Sequence, residues 1–167
     1  NSCFLPDSFS VNDMLYDKIL RLLYAIIFQM STVALQSKCR ALRTELRTMK
    51  YASIWNEKSI MSGDPGMYLR LLHFIFIEYS PQVKNWLVES GYTLQTATDL
   101  AFVQQIYKLL QNSMNYRPKI TVDNFFKTKF ALQKLNLSYD VAKMIQEKSK
   151  SLVPVVSTSN NTKISLD

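Results

Sequence analysis

Arg40, Arg43, Arg47 and Lys50 recur at three- and four-residue steps, a spacing that puts four cations on one side of a helix. Such a row does no bond-making chemistry. It holds an anion, or a chain of anions, by summed Coulomb attraction. A solvated face is the plain alternative, and the scattered Lys127, Lys129, Lys134, Lys143, Lys148 and Lys150 fit it equally well. For the arginine row binding is the better reading, because like charges on one face repel one another without a partner.

Residues that could carry catalysis are few. His73 is the one histidine, and it lies in the most hydrophobic stretch of the chain, where a packed imidazole is expected. Cys3 and Cys39 stand in no metal-ligand spacing and are too few for a disulfide framework. With one histidine and no cysteine pair, zinc has no ligand set. Gly63-Asp64-Pro65-Gly66 lacks the spacing and the lysine of a phosphate loop, and Asp64 is explained by helix capping. No nucleophile elbow or His-Glu-x-x-His element occurs. A non-enzymatic protein with no cofactor, no metal and no small-molecule substrate is expected.

The elements that must carry the cation row are helical. Cys39, Leu42, Leu46 and Met49 form an apolar stripe about a quarter-turn from it, over a helix read from Gln36 to Tyr51. Asn56 to Gly66 reads as a loop. Gly63 can take the positive φ that ends a segment, while Asp64 and Pro65 suit the start of the next. Met67 to Glu78 is apolar nearly all round (Leu69, Leu71, Leu72, Phe74, Ile75, Phe76, Ile77) and is expected at the centre of the core. Ser80-Pro81 starts a further helix with Val83, Trp86, Leu87 and Val88, ending near Gly91. Thr98 caps one through Asp99–Asn115, with Leu100, Val103, Ile106, Tyr107, Leu109 and Leu110 at helical period. Tyr116-Arg117-Pro118 breaks it. Thr121 starts a shorter helix with Phe125, Phe126 and Phe130, and Ser138 a last one with Val141, Ala142, Met144 and Ile145.

With 167 residues, 47% of them hydrophobic and only three glycines, the chain is long enough for one all-α domain with a real core. The net charge of +7 points to an acidic partner: a protein surface, nucleic acid or an anionic membrane. Nucleic acid is the weaker rival. Tyr51, Trp55, Tyr116 and Phe126 lie near basic residues, as stacking platforms do, yet no nucleic-acid motif accompanies them.

Residues 14–35 hold a membrane-like stretch centred on Ile19–Phe28. Its uninterrupted part is shorter than the about 20 residues a bilayer needs, and Asp17, Lys18 and Arg21 interrupt it, so an amphipathic helix is preferred to a membrane anchor. Met30-Ser31-Thr32 looks like a native start. Residues 1–29 are therefore expected to be an N-terminal extension, helical from about residue 14, outside a domain of 30–152. Residues 153–167, rich in Ser, Thr and Asn, are expected to be a disordered tail.

From Met30 to Leu152 the chain resembles the N-terminal domain of the 44-kilodalton centrosomal protein family. The resemblance is carried by Gly63-Asp64-Pro65, by Ser80-Pro81 with Val83, Leu87 and Glu89-Ser90, and by Asp99-Leu100 with Phe102. Tyr107-Lys108-Leu109-Leu110, Tyr116, Pro118, Phe126 and Phe130-Ala131 complete it. What it implies is a calponin-homology-like helical domain that binds microtubules or tubulin, together with other centriole scaffold proteins. It also implies a place at centrosomes, centrioles and spindle poles. On that reading Arg40, Arg43, Arg47 and Lys50 are the electrostatic contact, with Lys127, Lys129 and Lys134 as helpers. The alternative is an adaptor domain that docks a centriolar protein through an apolar patch.

Overall fold

In the computed structural model, the described residues are 11–152 apart from Ala97, with side chains described from Met14. Cys3 and the expected tail lie outside them. Every regular element among the described residues is helical. The order is α1 (Val11–Thr48), α2 (Glu57–Ser62), α3 (Pro65–His73), a π-turn (Phe74–Glu78), α4 (Pro81–Glu89), α5 (Asp99–Ser113), α6 (Val122–Phe125) and α7 (Ala131–Leu152).

Two helices frame the core. The second half of α1 buries Cys39, Leu42 and Leu46, followed by Met49 just past its end, and its largest partner is α7. The α7 stripe is Leu135, Ser138, Val141, Ala142 and Ile145. The two helices run in the same direction: the Lys38 ammonium sits 3.9 Å from the centre of the Tyr139 ring, and the Gln146 Nε2 further along donates to Glu45 Oε1 at 2.7 Å. Between them lie α3 and the π-turn, which bury Met67, Tyr68, Leu69, Leu71, Leu72, Phe74, Ile75 and Phe76.

The π-turn follows from that burial. Tyr79 N–H donates to Phe74 O at 2.9 Å, one residue further than in an α-helix. The wider turn lets three consecutive large side chains, Phe74, Ile75 and Phe76, all face protein. Phe74 meets Tyr51 edge-on at 4.8 Å.

The local signals behave as their chemistry requires. The Asp64 carboxylate accepts from Gly66 N–H at 3.2 Å, and the Ser80, Thr98 and Thr121 hydroxyls cap α4, α5 and α6. Gly63 has φ +74 and packs against the Lys129 carbonyl and Ala131 N–H, leaving no room for a Cβ. The Tyr107 hydroxyl donates to Ile120 O at 2.9 Å, with Leu110 buried beside it, and fixes the loop that Pro118 stiffens. Tyr116 donates to Asp140 at 2.9 Å.

Three expectations are corrected. Residues 57–62 are helical, because the Asn56 side chain accepts from Ser59 N–H and Gly63 closes the other end. The last helix starts at Ala131, after Phe130 at φ +60, so Ser138 is a buried mid-helix residue and not a cap. The helix after Thr121 stops at Phe125, leaving Phe130 outside it. Apart from these, α1 runs without a break through residues 29 and 30, and it is packed against the domain from Leu35 onward.

Candidate acidic-partner interface

Arg40, Arg43 and Arg47 are exposed on α1, and Lys50 is exposed just past its end, at φ +61. The row exists because α1 spends its other face on the core. Glu45, the acid closest in sequence, is turned the opposite way round the helix, where it accepts from Gln146. Among the described residues the one ion pair is Arg21–Asp17, at 2.9 Å, so the row has no carboxylate partner.

Beside the row lies a cleft of about 170 Å³ lined by Arg43, Leu46, Arg47, Tyr51, Ser53 and Trp55. The Arg43 guanidinium lies 5.9 Å from the centre of the Trp55 ring. The Tyr51 hydroxyl and Trp55 Nε1 are buried and have no hydrogen-bond partner of good geometry. Burial pushes the Tyr51 phenol up, partly offset by the neighbouring Ser53 hydroxyl, so it stays a donor across the physiological range. Two guanidiniums and two unused donors, with no carboxylate among the lining residues, suit a carboxylate or phosphate oxygen.

The helper lysines divide. Lys127 and Lys129 are exposed in the α6–α7 loop, and Lys127 donates to Asn124 Oδ1 at 2.8 Å. That loop precedes α7, so it sits at the far end of the α1–α7 pair from Arg47, and the two sets do not merge along it. Lys134 is no surface contact at all. It is fully buried and donates to Gly63 O and Lys127 O, both at 2.6 Å. The Tyr68 and Phe125 rings flank it at 5.7 and 5.6 Å. Burial lowers its ammonium to about 8, against a smaller opposing pull from Asp64. Lys134 therefore ties the end of α2 to the start of α7. The signal for this was its register: it falls on the α7 stripe with Ser138, Val141 and Ile145.

A pair that sequence reasoning missed is Lys38 with Lys143. Both ammoniums lie over the Tyr139 ring, at 3.9 and 5.7 Å, and make a second basic spot on the far side of α1. Of the four aromatics considered for nucleic acid, Tyr51 and Trp55 share the cleft, whereas Tyr116 is tied to Asp140 and Phe126 packs edge-on against Phe125 at 5.5 Å. His73 stacks on Phe102 at 3.9 Å, its ring occupied by packing.

The family description "Centrosomal spindle body, CEP44" matches residues 34–159. This chain belongs to that family. It is 32% identical over 123 residues to the human protein named "Centrosomal protein of 44 kDa", and 28% identical over 123 residues to the Xenopus tropicalis protein of that name. A rat relative is 30% identical over 124 residues. Each match covers 74% of this chain and 32% of the relative, so the chain spans about a third of the length of the relatives it matches. Membership gives the chain a centrosomal location.

Proposed function

We propose that residues 30–152 form a calponin-homology-like domain that binds the acidic surface of tubulin in microtubules and supports the centriole wall. The observation that carries this reading is the unpaired row Arg40, Arg43, Arg47 and Lys50 with the anion-seeking cleft beside it. Acidic side chains approaching the row would lie between Arg43 and Arg47 and meet the free Tyr51 and Trp55 donors. Each contact adds little alone, and the sum is salt-sensitive. Lys127 and Lys129 act as a separate, weaker spot.

The test is co-pelleting of the full chain with stabilised microtubules at low and moderate salt, against a control without microtubules. Wild type should pellet at low salt and be released as salt rises. A folded Arg43→Glu/Arg47→Glu double variant should lose most of the pelleting. Unchanged pelleting by that variant rejects this face.

The adaptor reading has its own observation. A small apolar hollow is lined by Phe76, Ile77, Leu87, Val88, Tyr92 and Leu94, and Val88 at its rim is 68% exposed. Association that persists at high salt and is lost in Val88→Asp would favour docking of another centriole scaffold protein there.

A further inference from the structure

The first half of α1 leaves the domain and is apolar round about two-thirds of its circumference. From Met14 to Ala34 every side chain but Thr32 is exposed, with Tyr24 at 75% and Phe28 at 67%. The mean hydropathy of its most apolar window is 1.5, and none of that window is buried. At about 100° per residue, Ile19, Leu23, Ile26 and Met30 face one way and Tyr24 and Phe28 the other. Leu20 and Ile27 fill one side between them, and the other, flanked by Leu22, carries Arg21, Ala25, Gln29 and Thr32. No charged residue lies between Arg21 and Lys38. The polar side chains there are few, and the Thr32 hydroxyl donates to Phe28 O at 2.9 Å, which satisfies it without water.

The breadth of the apolar surface chooses the occupant. A second copy of the helix would cover one seam and leave the opposite side in water. A helix lying along a membrane surface needs a broad polar face, and here the side that carries Arg21, Ala25, Gln29 and Thr32 is a narrow strip with one charge. Lipid hydrocarbon covers all sides at once. We propose that residues 19–34 insert into a lipid bilayer, with the domain held on its cytoplasmic side. The stretch from Arg21 to Lys38 is roughly 25 Å long at 1.5 Å per residue. That is close to the about 30 Å of a hydrocarbon core; the long Arg21 side chain reaches outward, and local thinning of the bilayer covers the rest. Orientation follows from charge. Lys38, Arg40, Arg43, Arg47 and Lys50 crowd the domain side, whereas Lys18 and Arg21 oppose them, with Arg21 paired to Asp17. The same basic row then lies near anionic headgroups, which favours its side of the bilayer.

The test is flotation of the full chain, made in the presence of vesicles of phosphatidylcholine with a minor share of phosphatidylserine, followed by high-salt and alkaline carbonate washes. The chain should float and survive both washes. Leu23→Arg/Ile26→Arg should reduce the floating fraction at least tenfold, with thermal unfolding of the domain unchanged because those side chains touch none of it. Three results overturn the proposal: a chain that stays in solution as a monomer, one that forms a stable oligomer and does not float, or one that floats but is released by salt. The last would leave only headgroup attraction to the basic row. Vesicle retention resists salt while microtubule pelleting does not, so failure of either reading is seen separately.

Discussion

The two halves of α1 are one unbroken helix with opposite relations to the fold. From Leu35 to Met49 the apolar residues repeat on a single stripe, which is buried in the core with α7 and α2 packed against the helix. From Met14 to Ala34 there are more apolar residues, yet the domain touches almost none of them. The amount of hydrophobic side chain therefore does not decide what buries a helix. Its angular distribution does. A stripe about 100° wide or more matches a neighbouring protein surface, and the charge left over forms the arginine row. An apolar surface that runs round about two-thirds of a helix is wider than any single protein surface can cover.

The strongest way to break this comparison is to truncate matched residues in each half. Leu42→Ala opens a cavity at a fully buried site and should cost about 3 kcal/mol of domain stability. Ile26→Ala, at a site 55% exposed, should change it by less than about 0.5 kcal/mol. Denaturant unfolding of the two variants checks this. Equal losses would mean that the first half of α1 packs on the domain after all.

Gly63→Ala should cost a similar amount, about 2–4 kcal/mol, because φ +74 and the Lys129 backbone both exclude a Cβ. The damage should stay on one side of the comparison. Amide exchange should quicken in α2 and in the first turns of α7, while residues 14–34 exchange as in wild type. Uniform quickening along α1 would show that the two halves are coupled.

Much of the domain half was legible because its signals are local. Asp64, Ser80, Thr98 and Thr121 each cap a helix with their own side chain, and Cys39, Leu42, Leu46 and Met49 show their stripe within four turns. What escaped depends on contacts far apart in the chain. α2 is too short to show a period and is held by Asn56 at one end and Gly63 at the other. The start of α7 is set by Phe130 turning at positive φ against the Gly63 corner. Of the candidate contacts, the arginine row was readable from spacing. The burial of Lys134 was not, because its partners are carbonyls on Gly63 and Lys127. The membrane-like stretch was read as interrupted because Asp17, Lys18 and Arg21 were counted inside it. In the structure they sit at its near end, and the apolar surface continues past Phe28.

Lys134 sharpens the contrast between buried and exposed cations. Lys134→Met leaves the Gly63 and Lys127 carbonyls without a donor and should cost about 2 kcal/mol at neutral pH, net of the relief from not burying a charge. The pH dependence has a definite sign. The folded ammonium titrates near 8 and the unfolded one near 10.5, so between these values the unfolded chain holds more protons. This group's unfavourable contribution is fully present below about pH 8 and is relieved as pH rises toward 10.5. Cys39, raised by burial and by Glu57 against a smaller lowering by Arg43, and the buried Tyr68 and Tyr107, also raised by burial, pull the other way at higher pH. The effect is therefore read as the difference between wild type and Lys134→Met from pH 7 to 9. That gap should widen in favour of wild type, and a flat difference would mean that Lys134 is solvated in solution.

The smallest expected effect concerns the arginine row itself. Arg40 lies one turn from Arg43 and two from Arg47, with no carboxylate answering any of them. Removing one of three like charges should stabilise the free protein, so Arg40→Gln should gain about 0.3 kcal/mol at low ionic strength. Salt screens the repulsion beyond about 8 Å at physiological strength, so the gain should fade as salt is added. The same substitution on the first half of α1, Arg21→Gln, removes a cation that is paired with Asp17 and should give no gain. A low-salt shift in Tm for Arg40→Gln, absent in Arg21→Gln, would show that the row is kept at a cost to the free domain. Charges retained at such a cost are held for a partner, and their repulsion is relieved when acidic groups arrive.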